Sequence, residues 1–139
     1  MCIRDWVSVS PISADDDGSV LNVKADVVAS QLAVELGAEK LLLVSDVPGI
    51  LADPQDPNSL VVMTDLGGLD RLQASGALAG GMLPKVDCLR TALNGGVGRA
   101  HVIAHHTPDA VLREVFTNEG AGTLVVRDAN AVAAALGAK

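Results

Sequence analysis

The sequence predicts an α/β fold, a mostly parallel sheet with helices on both faces, and three observations support that expectation. Short apolar runs alternate with longer segments of helical period along the chain, and no internal repeat is present. One run, "KLLLVSD" at residues 40–46, is apolar at Leu41, Leu42, Leu43 and Val44 without alternation, the pattern of a parallel strand covered on both sides. At 139 residues with 49% hydrophobic side chains and a positive mean hydropathy, the chain has the size of one domain, residues 1–139, with enough apolar material for a sizeable core.

Each element follows from local chemistry. "VSVSPI" (residues 7–12) has strand character, and Asp17-Gly18 supplies a turn that closes a small hairpin, with Asp15, Asp16 and Asp17 in a solvated loop. "ADVVASQLAVELGA" puts Ala25, Val28, Ala29, Leu32, Ala33 and Leu36 on one helical stripe, and Gly37 stands where that helix stops. "DPQDPNS" reads as a loop, and "TDLGGLDRLQASGAL" as a helix weakened by its glycines. In "LPKVDCLRTALNGG", Leu83, Val86, Leu89 and Leu93 share a face, Pro84 fits the first turn, and Gly95-Gly96 ends the helix. "AHVIA" is a short strand, and "TPDAVLREVF" a helix with Thr107 as N-cap and Pro108 at its first position. "GTLVV" is the last strand, followed by an Ala-rich helical extension within residues 127–139.

Composition excludes several functions. The net charge of −7, with one Trp and one Phe, provides neither the basic stripe nor the stacking aromatics of a nucleic-acid binder. No uninterrupted apolar span is long enough to cross a membrane, so no membrane partner is expected. Cys2 and Cys88, in a chain without a cationic, apolar leader, favour a reduced, cytoplasmic protein. His105 and His106 lack the company of other metal ligands and read as loop surface, and His101 within its short strand reads as structural. No protein-held metal is expected.

The chemistry concentrates in "GGMLPKVD", residues 80–87. A helix start offers free backbone N–H groups and a partial positive charge, Gly80 and Gly81 let a ligand approach the main chain, and Lys85 adds a full charge. Together they form an anion site, although the spacing is not that of the Walker phosphate loop and no Ser or Thr follows the lysine. Two segments give context. "SDVPGIL" (residues 45–51) follows a buried strand at its carboxyl end, where open α/β sheets place ligands, and "NVKAD" sets Asn22 and Asp26 near another helix start. Each residue also has an ordinary structural reading: Lys85 as a solvated surface lysine, Asp46 capping a turn, Gly49 supplying positive φ, Asp26 complementing a helix dipole.

At these residues a family is visible. "SPISADDDGSVLNVKAD", "LGAEKLLLVSDVPGIL", "GGMLPKV" and "LREVFTNEGAGTLV", in that order over residues 7–126, resemble the second half of the acetylglutamate kinases, within the amino acid kinase family. The resemblance implies a three-layer α/β/α sandwich of the amino acid kinase type without its N-terminal half. It also implies phosphoryl transfer from ATP, with Mg²⁺, to the side-chain carboxylate of N-acetyl-L-glutamate in arginine biosynthesis. On this reading Lys85 stabilises the transferring phosphoryl group, Asp26 orients the catalytic lysines, and Asn22 contacts acetylglutamate. Ser45, Asp46, Val47, Pro48, Gly49, Ile50 and Leu51 line the ATP site, with Ala77, Leu78, Ala79, Gly80 and Gly81 as a second contact loop. "TNEGAGT" resembles part of an arginine site, with Glu119, Gly120 and Gly122 as its candidate residues. Gly120 and Gly122 have an equal claim as builders of the turn into the last strand.

The departures from the family pattern matter as well. Its first half is missing, including a glycine-rich phosphate loop with its own lysine and the residues that hold acetylglutamate, so the chain is expected to be a truncated or internally started product, inactive alone. A homo-oligomer, or a need for the missing half, is expected as its partnership. Lys24 stands where the family has an asparagine, and His105-His106 where it has Gly-Arg. The alternatives are a non-catalytic nucleotide-binding or regulatory module, and a related kinase of the acetylaminoadipate type.

Overall fold

The computed structural model describes residues 8–78, 80–116 and 120–130 and is built on a four-stranded mixed sheet beside a separate hairpin. The hairpin comes first: β1 (Ile12–Ala14) pairs antiparallel with β2 (Val20–Asn22), and Gly18 takes φ +81 in the turn between them. That turn is the expected one, held by the Asp15 carboxylate, which accepts the amide protons of Asp17 and Ser19. The strand character expected from residue 7 is found only from Ile12 onward among the described residues.

Helix α1 (Ala25–Glu35) ends at Gly37, φ +59, as its sequence requires. Its buried face differs from the expected stripe. Ser30 and Ala33 are buried with Ala29 and Val34 beside the core, whereas Ala25, Leu32 and Leu36 are exposed. The reason is the close approach of helix α3 (Met82–Asn94), whose C-cap Gly95 packs on the Val34 side chain. At such a crossing small residues fit and leucines turn outward.

Strand β3 (Lys40–Ser45) lies at the sheet edge, in the order β3-β5-β6-β4. Leu41, Leu43 and Ser45 are buried on the face that α1 and α3 cover, but Leu42 is half-buried and Val44 is 50% exposed, so the expected cover on both faces is absent at this strand. Strand β4 (Met63–Asp65) was not expected; its residues read as the start of a helix. That helix, α2 (Leu66–Ala74), begins at the Asp65 cap, whose carboxylate accepts the Gly68 N–H at 2.7 Å. Arg90 on α3 ties the two helices together through Asp70 and Gln73.

Strand β5 (Arg99–Ala104) runs parallel to β3 in the interior. Helix α4 (Ala110–Phe116) then covers the second face of β5, which completes the α/β/α layering. It starts three residues after the expected Thr107 cap, because Asp109 adopts φ +55 and breaks the helical path after Pro108. Strand β6 (Gly122–Val126) inserts between β5 and β4, antiparallel to the first and parallel to the second. Arg127 beyond it donates to the Leu93 carbonyl and so closes the carboxyl end of α3. Of the expected extension, Ala129 and Asn130 are helical, and the remainder lies outside the described residues. The core gathers Leu41, Leu43, Leu69, Val86, Leu89, Leu93, Val102 and Val125 between the sheet and helices α1, α2 and α3. No helix among the described residues is long and apolar enough to cross a membrane.

Candidate functional site

A cleft of about 370 Å³ opens where β3 ends and α3 begins. Ser45, Asp46, Val47, Gly49 and Leu51 line one wall, and Ala77, Leu78, Gly81 and Lys85 line the other, so the structure brings two distant segments of the sequence together. Pro54 and Met82 complete the lining; neither was singled out in the sequence. Pro48, Ile50 and Gly80 lie outside the lining. Ala79 and Glu119 fall outside the described residues. The cleft sits at the carboxyl ends of the parallel pair β3 and β5, the position at which an α/β sheet receives ligands.

The cation in the cleft is held in place. Lys85, the fourth residue of α3, donates from Nζ to Asp26 Oδ2 at 2.8 Å, and the two side chains remain 21% and 31% exposed. Asp26 lies in the first turn of α1, where its carboxylate also complements the helix dipole. One ammonium proton is thus committed, and the other two are available to an anion in the cleft. Asp26 makes its ion pair with Lys85 and not with Lys24, which is exposed ahead of α1. Asn22, at the end of β2, is exposed and does not line the cleft.

The loop at residues 46–51 is fixed from beneath by contacts that no local pattern announces. Ile50 is fully buried; its N–H donates to Thr123 Oγ1 at 2.8 Å and its carbonyl accepts the Val61 N–H at 2.9 Å. Gly49, φ +155, sits where a Cβ would lie 2.5 Å from Thr123 Oγ1 and 2.8 Å from Leu60 Cδ1. At the other end of the loop, the Ser45 carbonyl accepts both the His105 N–H at 2.8 Å and the His105 Nδ1 proton at 3.0 Å. His105 is exposed, as expected for a loop position, yet it secures the strand end beside the cleft. Thr123 and His105 were missed as site residues because their partners stand 73 and 60 residues away.

Two glycines of the candidate arginine segment have structural duties. Gly120 takes φ +52, and a Cβ on Gly122 would run into the Val102 carbonyl oxygen of the neighbouring strand. Beneath this turn His101 and Glu114 are both buried. The His101 ring proton on Nδ1 meets Glu114 Oε1 at 2.5 Å, and Glu114 Oε2 accepts the Ala121 N–H at 2.5 Å. Burial pushes the His101 pKa down against the opposing pull of the Glu114 carboxylate. Cys88, a free buried thiol on α3, has its pKa raised chiefly by burial, while the Asp65 cap carboxyl is lowered chiefly by the Gly68 N–H.

A site of this kind suits an anionic ligand with a flat apolar part. Lys85 and the backbone near Gly81 meet the charge, while Val47, Leu51, Pro54, Leu78 and Met82 offer an apolar wall. No group of three or more His, Cys, Asp or Glu residues is placed to hold a metal among the described residues.

Several known proteins are similar to this chain. The chain is 50% identical over 125 residues to the acetylglutamate kinase of Myxococcus xanthus, covering 89% of this chain and 41% of that protein. It is 48% identical over 118 residues to that of Moorella thermoacetica, covering 85% and 40%. The chain therefore spans about 40% of the length of these relatives. Among solved structures it is similar to N-acetylglutamate synthase from Neisseria gonorrhoeae complexed with coenzyme A and L-arginine. That match has a TM-score of 0.77 and 26% identity, covering 86% of this chain and 27% of that one. Carbamate kinase from Giardia lamblia bound to AMP-PNP shares the fold, with a TM-score of 0.61 at 20% identity over 84% of this chain and 37% of that one. Residues 7–104 match the amino acid kinase family, and the chain belongs to that family.

Proposed function

We propose that this chain supplies the nucleotide-binding half of an acetylglutamate kinase. ATP occupies the cleft, and its terminal phosphoryl group passes to the side-chain carboxylate of N-acetyl-L-glutamate. The observation that carries this reading is Lys85, set at a helix start in the cleft wall and anchored by Asp26 at 2.8 Å. The identity of 50% to an acetylglutamate kinase supports the choice of substrate.

In this role Lys85 neutralises charge on the phosphoryl oxygens, and Asp26 keeps the ammonium from swinging away, so the group is positioned before the reaction. Mg²⁺ arrives with ATP and is held chiefly by phosphates and water. Asn22 faces acetylglutamate once the remainder of the acceptor site is supplied. The chain works as one partial domain in the cytoplasm, where Cys88 stays a free thiol. The segment that includes Gly120 and Gly122 contributes at most weak arginine binding.

Calorimetric titration with MgATP tests the reading. Saturable binding is expected, together with no acetylglutamate-dependent ADP release by the 139-residue chain alone. Absence of binding at millimolar MgATP rejects the nucleotide role, and full turnover by this chain rejects the need for a second half.

A further inference from the structure

We propose that Thr123 is a positioning residue of the nucleotide cleft: its hydroxyl holds the loop at residues 46–51 in the shape that receives the nucleotide. The inference rests on the nucleotide reading of the cleft and adds to it a residue from the far end of the chain.

Thr123 is fully buried on β6, and its Oγ1 accepts the Ile50 N–H at 2.8 Å across 73 residues of sequence. This bond stands directly under the loop, because Gly49 and Leu51 on either side of Ile50 both line the cleft. The opposite edge of Ile50 is held by Val61, and Leu51 bridges to Leu60, so the backbone at the cleft floor is fixed from two sides. The approach is close enough that only glycine fits at position 49, against the same hydroxyl oxygen. Without the hydroxyl, the buried Ile50 N–H has no acceptor there, and the loop must shift to find one.

Thr123 is itself held by its surroundings. It follows Gly122, which is pressed against the β5 backbone, and the turn before it is tied by Ala121 N–H to Glu114, which in turn meets His101. The cleft floor is therefore held from β6, a strand that does not line the cleft.

The test uses the whole 139-residue chain and two substitutions that separate hydroxyl from packing. Thr123→Ser keeps the hydroxyl and loses a methyl group; Thr123→Val keeps the volume and loses the hydroxyl. Each is titrated with MgATP and melted. The expected result is that Thr123→Ser binds MgATP as the parent chain does even where it melts lower, while Thr123→Val binds about tenfold more weakly, the size of one lost neutral hydrogen bond. Should Thr123→Val fail to fold, Thr123→Cys, with a thiol as a much poorer acceptor, gives the same comparison and the same expected weakening. Equal MgATP affinity for parent and Thr123→Val overturns the proposal and leaves the nucleotide reading intact. Equal weakening by Ser and Val also overturns it, because packing alone then accounts for the effect. Failure of the parent chain to bind MgATP removes the nucleotide reading and the proposal with it.

Discussion

Lys85 and Asp26 join the starts of two helices across 59 residues of sequence, with 2.8 Å between ammonium and carboxylate. A lysine near a helix N-terminus is slightly disfavoured by the dipole, and the aspartate offsets this. Both side chains are partly solvated, so the pair contributes at most about 1 kcal/mol to stability. Lys85→Ala is therefore expected to melt close to the parent chain while MgATP binding weakens by roughly 1–3 kcal/mol, the loss of a charge-assisted hydrogen bond. Titration and melting of the same preparation check this, and equal affinities would mean that Lys85 holds no phosphate.

Gly49→Ala should be more damaging to the fold. The position combines φ +155 with an approach to Thr123 and Leu60 that leaves no room for a methyl group. A cost of about 1–3 kcal/mol in stability is expected from the backbone strain alone. Denaturant unfolding reads it, and an unchanged midpoint would show that the loop relaxes freely.

His101 gives stability a pH dependence of known sign. Its folded pKa lies below the ordinary 6.5, because burial disfavours the imidazolium. The folded state then binds fewer protons than the unfolded chain, so the contribution is full above pH 6.5 and is lost as the pH falls from there through the depressed folded value. Melting temperatures measured downward from pH 7.5 should decline more steeply for the parent chain than for His101→Gln. Parallel profiles would mean that His101 keeps its ordinary pKa.

Self-association is expected of the isolated chain. Leu36 at the end of α1, Val20 on β2 and Phe116 on α4 are 79%, 76% and 76% exposed, and β3 presents an edge with Val44 outward. Light scattering over a hundredfold range of concentration should show growing mass, and a constant monomer mass would contradict it.

Much of this architecture is legible in local sequence. The Asp17-Gly18 turn, the stop at Gly37 and the face of α3 follow from turn chemistry and helical period. Strand β4 escapes notice because three residues, the last of them the capping aspartate itself, carry too little pattern. The stripe of α1 was misjudged because hydrophobicity ranks leucine above serine and alanine, whereas a close helix crossing at Gly95 favours the small residues. Lys85 and Asp26 are candidates from their places at helix starts, whereas their pairing and their roles come from the resemblance alone. Thr123 goes unnamed and His105 reads only as loop surface, because nothing in a window of neighbours records what lies on the adjacent strand.

The place of β6 in the sheet has a bearing on how the molecule assembles. Strand β4 touches the sheet only through β6, and β6 comes from the last part of the described chain. Among the described residues β4 has no neighbour in this sheet until residues 122–126 are in place. The β4–β6 pairing joins Met63 to Leu124 across a long loop, so its closure cost comes before it returns any stability. A chain cut before residue 122 would therefore keep at most the β3–β5 pair, with the Ile50 N–H of its ligand loop left without the Thr123 hydroxyl.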